Sequence, residues 1–219
     1  MEKYPRTFHL PFSPEVHSDD KTIDASVLET FLNTEVVISE KLDGGNACMK
    51  PEGVFARSHK LPTSCETFDY IKNKHYFSKK YSMNPNYWYF GENMFAIHSI
   101  PYTELIDSFY LFNVLNHNTS EWLPYDEVIA ESIRMEFELV PEVFRGTFKT
   151  IKEIQEFMDS RIDKGSYLGG ECEGFVMRKA GSFPFSEFSD NVVKYVRAGH
   201  VQTDEHWRKN WKPQKINKD

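Results

Sequence analysis

The chain reads as short apolar runs separated by turn-forming clusters, with little sustained helical periodicity. Val36-Val37-Ile38 and Asn46 to Lys50 have the β-branched and apolar character of strands, with Leu42-Asp43-Gly44-Gly45 between them. Pro51-Glu52-Gly53 is a turn, after which Val54-Phe55-Ala56-Arg57 returns as a hairpin partner. Tyr87 to Phe90, Phe109 to Leu115, Gly174 to Arg178 and Val192 to Val196 complete the predicted strands. Helical signals are fewer. Thr150-Ile151-Lys152-Glu153 has the form of a capping box, and Ile151, Ile154 and Met158 then recur at helical spacing. Glu66 to Tyr81 and Tyr125 to Met135 carry less regular helical patterns. Strands and helices do not alternate as βαβ units, which predicts an α+β fold of mostly antiparallel sheets with flanking helices. No repeat or low-complexity linker divides the chain, so a single domain over 1–219 is expected.

Charge adds a qualification. A net charge of −7 argues against a protein that coats nucleic acid non-specifically. The distribution is uneven, however. From Asn191 onward, Lys194, Arg197, Arg208, Lys209, Lys212, Lys215 and Lys218 outnumber Asp204, Glu205 and Asp219. This basic end, with 198–219 as an extension, reads either as a local phosphate track or as a solvated, frayed tail. The chain is rich in Phe, Tyr and Trp, which fill cores and also stack on bases. Cys48, Cys65 and Cys172 form no CxxC pair and read as free thiols of a reducing compartment. No apolar run approaches the ~18 residues of a membrane span, and no signal-peptide stretch opens the chain. A cytoplasmic protein without membrane association is expected.

The candidate chemistry centres on Lys41-Leu42-Asp43-Gly44. A lysine leaving an apolar strand into a tight glycine turn is held firmly while its amine stays accessible. Such an amine becomes a nucleophile once burial or neighbouring cations depress its pKa. K-x-D-G arises by chance in roughly one chain in twenty of this length. Alone, the tetrapeptide is better read as a hairpin turn with a solvated lysine.

Five further segments change that reading, because they follow in the order of one superfamily. Glu40-Lys41-Leu42-Asp43-Gly44-Gly45-Asn46 is followed by Arg57-Ser58 on the next hairpin strand and by Phe90-Gly91-Glu92. Then come Phe109-Tyr110-Leu111-Phe112, Glu173-Gly174-Phe175-Val176 and Val193-Lys194-Tyr195-Val196-Arg197. In this set the chain resembles the RNA ligase 2-like branch of the covalent nucleotidyltransferases, with a motif-bearing core over 36–197. The resemblance implies an ATP-grasp-like ligase core and an ATP-dependent RNA ligase. Such an enzyme joins RNA 5′-phosphate and 3′-hydroxyl ends through lysyl-AMP and an adenylylated RNA 5′ end, with Mg²⁺ or Mn²⁺ as cofactor. A monomer is expected.

By the same resemblance Lys41 is the nucleophile, and Glu92 accepts hydrogen bonds from a ribose hydroxyl. Phe112 stacks on adenine, with ordinary core packing as the alternative. Glu173 orients the lysine or holds a metal-bound water. Lys194 contacts the α-phosphate and helps to depress the pKa of Lys41; strand alternation sets it opposite in sense to Val193. Glu40 joins the nucleotide-binding set, and Asn46 and Arg57 are candidates for RNA. The chain departs from the family at two positions. Asp43 stands where the closest branch commonly has histidine, and either holds a metal-bound water or caps the turn. The family's second basic residue commonly lies two positions after the first, which here is Val196; Arg197 is the nearest candidate for a second phosphate ligand.

DNA ligase and mRNA capping guanylyltransferase are the rival readings, and a non-catalytic nucleotide- or RNA-binding relic is the reading of another class. DNA ligases typically carry arginine where this chain has Asn46. Both rival enzymes usually add an OB-fold after the last motif, and the 22 residues after Arg197 are too few for one. Intact Lys41, Glu92, Glu173 and Lys194 argue against a relic. The segment Arg6 to Pro11 is distinctive and has no firm role; it reads either as a cover on the sheet or as a triphosphate contact. His200 to Thr203 with His206-Trp207 reads either as an RNA-end contact or as a packed turn.

Overall fold

The computed structural model describes residues 3–18, 20–57, 60–199 and 211–217. In chain order the first strands are β1 (Phe8–His9), β2 (Val36–Lys41), β3 (Gly45–Lys50), β4 (Gly53–Ala56), β5 (Tyr87–Asn93) and β6 (Phe109–Asn116). They are followed by β7 (Glu121–Trp122), β8 (Glu138–Leu139), β9 (Glu142–Gly146), β10 (Gly174–Lys179), β11 (Phe183–Pro184) and β12 (Val192–Val196). The helices are α1 (Ala25–Glu29), α2 (Asp69–Lys74), α3 (Tyr125–Met135) and α4 (Ile151–Ile162). Two sheets result. One has the order β1-β12-β10-β2-β9; the other has β11-β7-β6-β5-β3-β4, with β8 paired to β6. All pairings are antiparallel except β1 with β12 and β6 with β8.

Alternation along the strands decides what each sheet face does. On β2 and β10, Val36, Ile38, Phe175 and Met177 point outward, where Leu28 of α1 and Ile154 and Met158 of α4 cover them. The opposite face of the same sheet carries Ser39, Lys41, Val176 and Lys194 toward a cavity between the sheets. In the second sheet Ala47, Met49, Tyr89 and Val114 pack with Val128 and Met135 of α3 and Ile71 of α2. Full burial of one Val, Leu, Ile or Met side chain stabilises by about 1.5–3 kcal/mol, so these outer layers fix the sheets that carry the site.

α3 has the predicted span, and α4 is started by the predicted box: Thr150 Oγ1 accepts from the Glu153 amide while the Glu153 carboxylate accepts from Thr150 N. The predicted helix over Glu66 to Tyr81 is instead broken. It consists of a 3₁₀ turn (Glu66–Phe68), α2, a π turn (His75–Lys79) and a second 3₁₀ turn (Lys80–Ser82). Its pattern offers no continuous apolar stripe, since Tyr76, Phe77 and Tyr81 are exposed. Buried His75, whose Nε2 lies 2.7 Å from Lys50 O, ties the middle of the segment to the end of β3.

Where it is described beyond Gly199, at 211–217, the basic extension differs from both readings; Arg208, Lys209 and Lys218 lie outside the described residues. Gln214 is buried: its amide donates to Phe95 O (2.8 Å), its Nε2 to Ile100 O (2.8 Å), and its Oε1 accepts from Tyr102 N (3.0 Å). Residues 211–217 are thus packed on the 95–105 loop rather than frayed. None of them lines the cavity, so Lys212 and Lys215 form no phosphate track there. Ser58 and the segment His200 to Trp207 lie outside the described residues.

Candidate active site

Lys41 is the last residue of β2, and its register with β10 sets it opposite Gly174. Glu173, the residue before that strand, is thereby carried to the lysine: Lys41 Nζ donates to Glu173 Oε1 at 2.5 Å. The chain then crosses from one sheet to the other through Leu42-Asp43-Gly44. Here a side chain has no room. A Cβ on Gly44 would lie 2.7 Å from Asn93 O and 2.9 Å from Glu92 Cγ. β3 enters the second sheet with Asn46 opposite Glu92 of β5.

Asp43 has a task that neither sequence reading named. Its Oδ2 accepts from the amides of Ser99 (2.7 Å) and Ile100 (2.9 Å), and its own amide donates to Tyr102 Oη (3.0 Å). It ties the crossing turn to the 99–102 loop and does not cap its own turn.

A cavity of about 810 Å³ opens between the sheets, lined by Lys41, Asn46, Arg57, Glu92, Phe112 and Lys194 among others. Phe112 is half-buried and touches the Tyr4 ring (centroids 5.1 Å apart). Asn46 Oδ1 is buried and has no hydrogen-bond partner among the described residues. A buried acceptor without a donor costs on the order of 1–3 kcal/mol, so this atom suits a ligand hydroxyl or amine. Arg57 is exposed at the rim, where its guanidinium donates to Tyr4 O (3.3 Å) and Pro5 O (3.4 Å).

Residues 34–196 match the family model for RNA ligase. The chain belongs to the RNA ligase family. A comparison with curated protein sequences returned no match. Among solved structures the fold resembles an archaeal ATP-dependent RNA ligase, with 14% identity and a TM-score of 0.58 over 89% of this chain and 48% of that one. It also resembles a mutant of Naegleria gruberi RNA ligase with ATP and Mn, with 14% identity and a TM-score of 0.59 over 91% and 60%. A putative ATP-dependent DNA ligase from Aquifex aeolicus gives 16% identity and a TM-score of 0.55 over 89% and 50%. At such identities the likeness concerns the fold, and this chain spans about half the length of the ligases it matches.

The charges at this RNA ligase family site oppose one expectation. Burial works to lower the pKa of Lys41, but Glu173, Glu92 and Asp43 outweigh it and hold the ammonium above its ordinary value. Lys41 is therefore held as the ammonium in the free protein, because acids outweigh burial around it. Glu92 is shifted in the same direction, which for a carboxyl favours the neutral form. Burial, with Glu173 and Asp43 nearby, pushes its carboxyl up to about 8, against the pull of Lys41. This acidic excess suits a divalent cation. Among the described residues no three His, Cys, Asp or Glu side chains converge closely enough to ligate a metal directly. The donor set therefore fits a hydrated cation held through water, as Mg²⁺ commonly is when phosphates supply further ligands.

Two further expectations need correction. Glu40 has its side chain on the outer face of β2, where alternation directs it away from the cavity. Its carboxylate accepts from Tyr167 N (2.7 Å), Ser166 Oγ (2.5 Å) and Arg161 Nη2 (3.3 Å), so it ties β2 to α4 and the loop after it. Only its backbone is left to face a nucleotide. Arg197 does not join the site either. It lies past the end of β12, outside the cavity lining, and is paired with Glu171.

Sequence reasoning also missed residues. Tyr4, Asn113 and Arg178 line the cavity, and Arg178, which is buried, donates to Asn113 Oδ1 (2.7 Å) and Leu123 O (2.8 Å). Alternation held the signal for Arg178, since it lies two positions after the cavity-facing Val176. Asp20 was missed as well, and its carboxylate pairs with Lys194 at 3.2 Å.

Proposed function

We propose that this chain is an ATP-dependent RNA ligase that acts through covalent lysyl-AMP at Lys41. The observation that carries the reading is a set of four groups: Lys41, Glu92 and Lys194, which line one cavity, and Glu173, which is bonded to Lys41.

In the first step neutral Lys41 Nζ attacks the α-phosphorus of ATP. The N–P bond forms, the bond to the bridging oxygen breaks, and pyrophosphate leaves with that electron pair. Lys194 stabilises the charge on the phosphates, and Glu173 orients the Lys41 amine and takes part in relieving it of its proton. Glu92 accepts from the ribose, and Phe112 stacks on the adenine face. Glu173 and Asp43 would hold a divalent cation, Mg²⁺ or Mn²⁺, which would supply positive charge that favours the neutral Lys41 amine and eases the repulsion among phosphates. The Naegleria gruberi structure with ATP and Mn is in keeping with this cofactor choice.

In the second step an oxygen of an RNA 5′-phosphate attacks the same phosphorus and breaks the N–P bond, returning the amine to Lys41. In the third a 3′-hydroxyl attacks the 5′-phosphate, loses its proton and expels AMP. Asn46 and Arg57 contact the RNA over the bound AMP. Residues 1–219 form one nucleotidyltransferase domain that acts as a monomer in the cytoplasm, where free Cys48, Cys65 and Cys172 remain reduced.

The likeness to a putative DNA ligase favours one second reading, the sealing of DNA ends. The deciding experiment offers matched RNA and DNA ends, each with a 5′-phosphate and a 3′-hydroxyl, at one fixed salt concentration. Preferential joining of RNA is expected, since the 2′-hydroxyl is what separates the two polymers for a protein. Equal joining of both overturns the RNA assignment, and preferential joining of DNA supports the second reading.

A further inference from the structure

The segment Arg6 to Pro11, to which the sequence assigned no firm role, lies against the strand that bears Lys194. β1 runs parallel to β12 with His9 opposite Lys194, and the Leu10 amide donates to Lys194 O at 2.8 Å. The chain then doubles back, with the His9 amide donating to Lys21 O (2.7 Å) and the Ile23 amide to His9 O (3.0 Å). This return brings Asp20 between the two side chains. Lys194 Nζ donates to Asp20 Oδ1 at 3.2 Å. The other carboxylate oxygen accepts from the His17 amide (3.2 Å) and lies 3.2 Å from His9 Nε2, off the line of a straight hydrogen bond. His9 is buried, with Nδ1 3.0 Å from Ser13 Oγ, and Ser13 Oγ in turn accepts from Val196 N at 2.9 Å. The strap is therefore fastened to β12 on both sides of Lys194.

The charges agree with this arrangement. Burial, and then Lys194, push His9 down to about 4, so its ring is neutral at pH 7. Burial opposes the charge on Asp20, but the His17 amide and Lys194 more than offset it and hold the carboxyl below its ordinary value. One ammonium faces one carboxylate, with a neutral imidazole behind it.

We propose that Asp20 is a positioning residue that fixes Lys194 at the phosphate end of the cavity, and that His9 holds Asp20 in turn. A lysine carries a compact charge on a flexible stem. Its ammonium stabilises a developing phosphate charge well only if it already stands where that charge appears. Asp20 and His9 supply that order from a segment remote in sequence. The inference rests on the reading of Lys194 as an α-phosphate ligand.

The test is a double-mutant cycle on single-turnover lysyl-AMP formation at saturating ATP and Mg²⁺, using the full chain, Asp20→Asn, Lys194→Met and the double variant. Asp20→Asn is expected to lose between about 10-fold and 10²-fold in rate, the scale of a misplaced catalytic group. In the Lys194→Met background the same change is expected to cost less than about twofold, because the residue acts through Lys194. His9→Gln follows the same pattern with a smaller loss. Should Asp20→Asn fail to fold in a thermal melt, Asp20→Glu and His9→Gln complete the cycle. Wild-type speed in these variants overturns the inference. So does a loss that persists undiminished without Lys194, which assigns Asp20 to general integrity of the fold. An unmodified wild-type chain that forms no lysyl-AMP at all is a separate result, seen before any variant is compared; it overturns the proposed function and this inference with it.

Discussion

Replacement of Glu173 by glutamine isolates the electrostatic state of the Lys41 amine. The carboxylate lies 2.5 Å from Lys41 Nζ, with the two side chains 4% and 29% exposed. Two unit charges 4 Å apart interact by about 4 kcal/mol at an effective dielectric of about 20, and by about 1 kcal/mol in bulk water. A pair with one partly open partner falls between, on the order of 2 kcal/mol. The sign is fixed by the chemistry. Glu173 favours the ammonium, so Glu173→Gln moves the titration of Lys41 toward acid and enlarges the neutral fraction at any pH below it. The assay is trace acetylation of the protein without nucleotide or metal, from pH 7 to 11, with the Lys41 peptide quantified by mass spectrometry. Exposed Lys212 serves as the internal reference. The midpoint for Lys41 is expected above the ordinary lysine value in the wild type and shifted toward acid in the variant, with the Lys212 peptide normalising the yield. Added Mg²⁺ should shift the wild type in the same direction. An unmoved or alkaline-shifted midpoint in Glu173→Gln refutes the argument that acids hold this amine protonated.

Other consequences concern residues whose roles the fold redistributes. Glu40→Ala leaves Arg161 buried without its carboxylate, so urea unfolding should show a loss of about 3–5 kcal/mol, the usual scale for breaking a buried pair; unchanged stability contradicts its structural role. Arg197→Ala should form lysyl-AMP within about twofold of wild type, because its partner Glu171 lies outside the cavity lining and surface pairs contribute about 0–1 kcal/mol. A large loss of charging restores Arg197 to the phosphate site. Asn46→Ala and Arg57→Ala should keep most of their lysyl-AMP formation but lose sealing of 5′-phosphorylated RNA, measured on the same preparations. Parallel loss of both activities contradicts that division of labour.

The local parts of this fold were legible because they follow from local pattern. Val36 to Ile38, Asn46 to Lys50 and Val192 to Val196 are strands by side-chain character, and alternation alone sets Lys194 opposite in sense to Val193. The same rule, applied to Glu40 beside Lys41, would have turned that carboxylate away from the cavity; motif adjacency overrode it. Arg197 was misread for a similar reason, since it too stands on the wrong side of the alternation from Lys194. What the chain does not encode locally is long-range pairing. β1, β8 and β11 are two-residue strands, each defined by a partner far away in sequence. Asp20 reaches Lys194 only because β1 joins β12, a contact across 174 positions. The sense of the Lys41 pKa shift was also out of reach, because it depends on how many carboxylates converge once both sheets have formed.

Intact-mass analysis after incubation with ATP and Mg²⁺ decides whether Lys41 becomes covalently bound to AMP. The account predicts a gain of one AMP, found on the peptide that contains Lys41, lost in Lys41→Ala and not produced in comparable yield by GTP. No adduct in the wild type, an adduct on another residue, or a GMP adduct without an AMP adduct contradicts it.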